Sequence, residues 1–129
     1  MLKQVGEPSD VGMLMGGLGN VCFSLEEYKD AISFHKQHLA IAEALGNRRG
    51  QLHALGNLGN VYNATANYSK ADDYYQQQLE ISQSIGDRLG EAIAYGNLGI
   101  VAYEQEDYEN AYQAMSRQLK LAVEMRDRL

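Results

Sequence analysis

The chain of 129 residues has no tryptophan, one proline, one cysteine and two phenylalanines, and its 11 Lys and Arg are outnumbered by 17 Asp and Glu. The lone Cys22 cannot close an intramolecular disulfide, and small secreted domains are usually stapled, so the sequence reads as cytoplasmic. A net charge of −6, with no cluster of Lys and Arg to neutralise phosphates, argues against nucleic acid and anionic membrane as main partners. Long apolar runs are also missing. The most apolar stretch, Val11 to Phe23, is interrupted by glycines, follows Glu7 and Asp10 rather than a basic segment, and is too short to span a bilayer.

Glycine, by contrast, is abundant, at 13 residues, yet it neither recurs at every third position nor clusters with proline and serine. Collagen-like and low-complexity chains are thereby excluded. With 45% hydrophobic and 22% charged residues the composition is that of one ordinary globular domain, taken here as 1–129, so the glycines need a positional explanation.

Written in rows of forty, the sequence aligns with itself. Leu18, Leu58 and Leu98 share a column, as do Gly19, Gly59 and Gly99, Tyr28, Tyr68 and Tyr108, and Ala31, Ala71 and Ala111. Gly16, Gly56 and Gly96 form another. Within a row the apolar spacing is helical: Leu55, Leu58, Val61 and Tyr62 make one stripe, and Ala71, Tyr74, Tyr75 and Leu79 a second. Two helices per repeat follow, predicted at 9–23 and 27–45, 48–65 and 67–85, and 88–104 and 107–126. Asn67 and Asp107 are suited to cap the second helices, and Asn47 and Asp87 the first. Gly56, Gly59 and their counterparts then lie inside first helices, where each costs about 1 kcal/mol relative to alanine. Close approach of the second helix, through the Ala31, Ala71, Ala111 column, is the expected compensation. Gly46, Gly50, Gly86 and Gly90 are expected in the turns between repeats.

Leu58-Gly59 with Tyr62, followed by Tyr68, Ala71, Tyr75 and Leu79, resembles the tetratricopeptide repeat (TPR). The resemblance covers nearly the whole chain and implies an all-α fold of three helix-turn-helix repeats, at about 9–45, 48–85 and 88–126, stacked as a right-handed α-solenoid. The forty-residue period and the run Gly56-Asn57-Leu58-Gly59-Asn60-Val61-Tyr62 are similar to the long repeats of Pins-type spindle-orientation adaptors. Such adaptors bind extended peptides in the superhelix groove, so the resemblance implies a protein or peptide partner.

In a TPR-like stack the first helices line the concave surface. There Asn20, Asn57, Asn60 and Asn97 form a ladder, each side chain able to offer an acceptor and two donors to the unpaired backbone of an extended peptide. The same asparagines could instead bond between repeats and fix their rotation. The position at which Pins-type repeats carry an arginine is held by Met13, His53 and Ile93, which removes the expectation of a strongly acidic ligand motif. No Lys or Arg is expected on these faces to clamp a terminal carboxylate. Met13, Phe23, Ile93, Ile100 and Tyr103 are candidates for apolar side-chain pockets, or for packing within a short superhelix.

Nothing points to catalysis. His35 and His38 share a helix face with His53 conceivably near, but the repeat equivalents Tyr75, Met115, Gln78 and Gln118 mark packing positions, so no metal and no cofactor is expected. Cys22 has no neighbouring base and reads as core. Glu104, Glu106, Asp107 and Glu109 read as a solvated turn at a helix N-terminus. Met1 to Val5 align with Ile41 to Leu45, as the end of a preceding second helix, and no polar terminal cap is evident. Two functions are therefore expected: a peptide-binding scaffold, or alternatively a self-assembly module, homo-oligomeric through its uncapped repeat ends.

Overall fold

The computed structural model describes residues 7–128; the segment aligned with the end of a preceding helix lies outside them. Six α-helices follow one another: α1 (Pro8–Ser24), α2 (Tyr28–Ala44), α3 (Arg48–Ala64), α4 (Tyr68–Ser84), α5 (Arg88–Glu104) and α6 (Tyr108–Arg126). They pair as α1–α2, α3–α4 and α5–α6, and each second helix packs on the first helix of the next pair. The result is an all-α solenoid of three helix-turn-helix repeats.

Three residues join each helix to the next, and they do two tasks at once. In each joint the middle residue takes a left-handed conformation, and its neighbour's N–H reaches a carbonyl five residues back, as in Asn47 to Ala42 (2.8 Å) and Asn67 to Tyr62 (2.8 Å). In every joint but the first, where Glu27 makes no side-chain cap, that neighbour then caps the next helix: Asn47 and Asp87 accept from the amides of Gly50 and Gly90 at 2.9 Å. Asn67 and Asp107 likewise cap α4 and α6. The left-handed residue is glycine between repeats (Gly46, Gly86) but Glu26, Ala66 and Glu106 within them. The turns inside repeats thus hold ordinary L-residues in a region that costs each about 1 kcal/mol.

Gly50 and Gly90 prove to be helical, not turn residues as expected. A Cβ at either would stand 2.7–2.8 Å from the capping side chain of Asn47 or Asp87, so glycine there makes room for the cap. The mid-helix glycines also differ from expectation. Each is covered first by a large side chain of the paired helix, His38 on Gly16, His35 on Gly19, Gln78 on Gly56, Tyr75 on Gly59, Gln118 on Gly96 and Met115 on Gly99, and only Gly99 also meets the alanine column, through the Ala111 carbonyl. Ala31, Ala71 and Ala111 are buried separately.

The main core straddles the junction of the second and third repeats, where Leu58, Tyr62, Ala71, Tyr75, Leu98 and Val101 cluster over partly buried Leu39, Tyr74 and Leu79. A smaller cluster of Cys22, Ala31 and Val61, with Phe23 and Tyr28 against it, joins the first repeat to the second. Complete burial of Leu58 and Val61 contributes about 2 kcal/mol each. In α1 the same two columns, Leu18 and Val21, are about half exposed (48% and 55%).

Candidate functional site

The backbones of the first helices of successive repeats approach one another, α1 with α3 and α3 with α5, whereas those of the second helices stand farther apart. Between α3 and α5 lies an open groove of about 530 Å³. Arg49, His53, Gly56, Asn57 and Asn60 line one wall, spaced by three or four residues along one face of α3. Leu89, Ile93 and Asn97 line the other from α5, and Gln78 reaches in from α4.

Gly56 is what admits Gln78: a Cβ at this position would stand 2.7 Å from the Gln78 amide nitrogen. Gln78, buried and lying across the bare strip of α3, accepts from the Asn97 Nδ2 of the next repeat at 3.4 Å. Asn60 accepts the Tyr75 hydroxyl proton through Oδ1 at 2.5 Å. Burial, and secondarily the charge of Glu104, pushes the Tyr75 phenol up to about 12, so it remains a donor throughout the neutral range. Each of these two asparagines, both lining the groove, therefore spends one polar atom inside the fold, and Nδ2 of Asn60 and Oδ1 of Asn97 have no partner among the described residues. Asn57, half-buried between them, has neither end engaged within the described residues.

Five of the sequence candidates, His53, Asn57, Asn60, Ile93 and Asn97, thus share one groove. Asn20 and Met13 are exposed on α1 and Ile100 on α5, outside its walls. Tyr103 is exposed with its ring edge-on to Tyr108, centroids 5.4 Å apart. Phe23 is turned to packing instead: it is half-buried against the Cys22 cluster and edge-on to Tyr28 at 5.8 Å. The expectation of a cation-free face needs correction too, because Arg49 lines the groove, one helical turn before His53. Its guanidinium is paired with Asp87 at 3.1 Å, across the junction between repeats. The i, i+4 spacing from His53, and from Ile93 back to Leu89, is the signal that identifies both missed residues.

His35 and His38 serve packing. His35 is 1% exposed, wedged on Gly19, and burial with the nearby His38 lowers its pKa to about 4. His38 is lowered by burial and then by His53. Nδ1 of both rings is buried without a hydrogen-bond partner. Among the described residues no three His, Cys, Asp or Glu side chains are grouped to hold a metal ion. Burial pushes the Cys22 thiol up, and Glu27 and Asp30 add to the shift, the reverse of what a nucleophile needs.

A stack of helix pairs repeating every forty residues, with its first helices walling a groove, defines a helical-repeat array. The family profile of the tetratricopeptide repeat matches residues 10–84 and again 51–122. The chain belongs to the tetratricopeptide repeat family, whose members are in general non-catalytic scaffolds for protein–protein interaction. Among solved structures it is similar to BtubC (BKLC) from P. vanneervenii, with TM-score 0.86 and 19% identity over 91% of this chain and 48% of the other. The TPR domain of Arabidopsis FLU is matched with TM-score 0.83 and 21% identity, over 88% of this chain and 96% of that domain. Aspartyl phosphate phosphatase F from Bacillus subtilis gives TM-score 0.89 and 18% identity, over 97% of this chain and 33% of the other. At these identities the likeness is one of fold, and the chain spans about half of the first protein and a third of the last. No protein of curated function matches it. None of the described helices is long and apolar enough to cross a membrane.

Proposed function

We propose that this array is a cytoplasmic scaffold that binds an extended segment of a partner protein in the groove between α3 and α5. The observation that carries the reading is the disposition of three amides: Asn57 with both ends open, the Asn60 Nδ2 donor on one side and the Asn97 Oδ1 acceptor on the other. An extended peptide presents alternating N–H and C=O groups, which such a row can engage without regard to side chains. Specificity would come from exposed Leu89 and Ile93, which offer an apolar wall. The Arg49–Asp87 pair makes a strongly acidic ligand a poor fit, since binding one would displace an existing partner. The mode of binding is the one implied by the resemblance to Pins-type adaptors.

The test is capture of the partner, mapping of its bound segment, and calorimetric titration of that peptide. Combining Asn57→Ala, Asn60→Ala and Asn97→Ala is expected to weaken binding at least about tenfold, from hydrogen bonds worth about 0.5–1.5 kcal/mol each. Tyr75→Phe is the control, because it releases Asn60 from its internal bond without removing the amide. Unchanged affinity in a folded triple variant would reject the ladder.

A second reading, end-to-end self-assembly, is favoured by a separate observation. Leu14, Leu18, Val21 and Leu25 are exposed along α1, and Tyr112, Leu119 and Val123 along α6. The Leu18 and Val21 columns are buried inside the array at Leu58, Leu98, Val61 and Val101, and the Leu119 column is partly buried at Leu39 and Leu79, so apolar parts of both end faces correspond to packing positions within the array. Sedimentation at several concentrations is expected to show a growing average mass under this reading; a mass that stays monomeric eliminates it.

A further inference from the structure

The second helices stand apart from one another, leaving clefts on the face away from the groove, and two of these clefts can be compared residue by residue. One lies between α2 and α4 and is lined by Lys36, Leu39, Tyr62, Lys70, Tyr74 and their neighbours. Moved forward by forty residues, every member of that lining falls in the cleft between α4 and α6. The two are the same site in successive repeats, yet their volumes differ, about 390 Å³ for the first and 650 Å³ for the second.

Where the two linings correspond, the second cleft lacks a pair of aromatic rings. In the first cleft Tyr62 and Tyr74 stack face to face, centroids 5.5 Å apart and planes 6° from parallel. The Lys70 ammonium lies over the Tyr62 ring, 5.2 Å from its centre, a cation–aromatic contact. The equivalents of Tyr62 and Tyr74 in the second cleft are Ala102 and Ala114, and that of Lys70 is Asn110. Leu79 and Leu98 still supply the apolar floor, so the space of an aromatic stack persists without its occupants.

The rim carries charge of one sign on one side. Asp72 and Asp73 face the opening from α4, and neither has an ion pair among the described residues, although Asp73 also lines the first cleft beside Lys36 and Lys70. Burial of Asp72, with Asp73 beside it, pushes its carboxyl up. The cation opposite, Arg117, is already held over the Tyr95 ring at 5.8 Å, with its Nη1 3.5 Å from the Tyr95 hydroxyl.

We propose that the cleft between α4 and α6 is a second binding site, independent of the groove, for an aromatic side chain of a partner protein flanked by a basic residue. The ring takes the place of the absent tyrosines between Ala102 and Ala114, and the cation pairs with Asp72 and Asp73. The third repeat thereby borrows from a partner the packing that the second repeat supplies for itself.

The probe is the peptide acetyl-Lys-Tyr-Lys-amide, titrated into the isotope-labelled chain and followed by amide chemical shifts. Saturable shifts centred on Leu98, Ala102 and Ala114 are expected, with none from acetyl-Lys-Ala-Lys-amide. Acetyl-Glu-Tyr-Glu-amide should bind at least about threefold more weakly than the basic peptide, as should the basic peptide to Asp72→Asn with Asp73→Asn, given the modest strength of exposed ion pairs. The double substitution Ala102→Tyr and Ala114→Tyr restores the stack of the preceding repeat; it should raise the melting temperature and abolish the shifts. No saturable response from the tyrosine peptide, or one that survives in the filled and folded double variant, overturns the site. Equal binding of the basic and acidic peptides overturns the basic partner.

Discussion

Gly59→Val is expected to destabilise the array by about 3 kcal/mol and Gly59→Ala by about 1–2 kcal/mol, both against the direction of helix propensity. In a mid-helix position alanine ordinarily gains about 1 kcal/mol over glycine. Here a Cβ would stand 2.4 and 2.6 Å from carbons of the Tyr75 ring. That ring cannot step aside: it is 2% exposed, belongs to the main core cluster, and is tethered by its hydroxyl to Asn60. The second methyl-bearing branch of valine adds to the overlap and restricts the side chain further. Gly17 provides the internal standard, because nothing lies within 4 Å of a Cβ built there. Gly17→Ala should therefore raise stability by up to about 1 kcal/mol. Urea unfolding of the three variants beside the parent checks both signs. Stabilisation by Gly59→Ala would show that propensity, rather than the seat of Tyr75, governs this strip.

The same glycine shows how far the sequence could be read and where it stopped. Its periodicity placed six helices within a few residues of their observed ends, because a buried stripe and a side-chain cap are both local patterns. Asn47, Asn67, Asp87 and Asp107 could be identified as caps for that reason. What lies opposite a glycine is not local. A bare strip invites either a small residue at short helix separation or a large one lying across it, and spacing alone favours neither. The structure takes the second course with Tyr75, Gln78 and His35, and by doing so engages Asn60 and Asn97 in the interior. The groove was legible in five of its residues because they share one repeat column or one helix face. Gln78 was not, since it enters from the second helix; for Phe23 the spacing left pocket and packing both open, and its place against the Cys22 cluster decides for packing. The cleft between α4 and α6 is visible in sequence only as two departures from a column, Ala102 for Tyr62 and Ala114 for Tyr74. Their meaning depends on the stack that Tyr62 and Tyr74 form.

Acid should loosen the first repeat before the others, and His35 is the reason. The column occupied by Tyr75 in the second repeat is filled here by an imidazole, 1% exposed on Gly19, whose Nδ1 has no hydrogen-bond partner. Where Tyr75 satisfies itself on Asn60, His35 makes no corresponding bond to Asn20. Burial, with His38 adding to it, brings its folded pKa to about 4, against 6.5 for an unperturbed histidine. Between those values the unfolded chain takes up a proton that the folded chain refuses. The contribution of neutral His35 is therefore complete above pH 6.5 and is lost progressively as the pH falls towards 4. At about 1.4 kcal/mol per pH step, that loss approaches 3 kcal/mol. His38, lowered for the same reasons with His53 as the second cause, acts in the same direction. Carboxylates that titrate lower in the range are common to parent and variants, so the decisive comparison is with His35→Tyr, which installs the side chain the second repeat uses. The variant should lose markedly less stability than the parent between pH 6.5 and 4.5, measured by urea unfolding at each pH. Hydrogen exchange should place the parent's early opening in α1 and α2. Parallel loss of stability in the two proteins would mean that the His35 ring escapes to water on protonation without disturbing the packing of the first repeat.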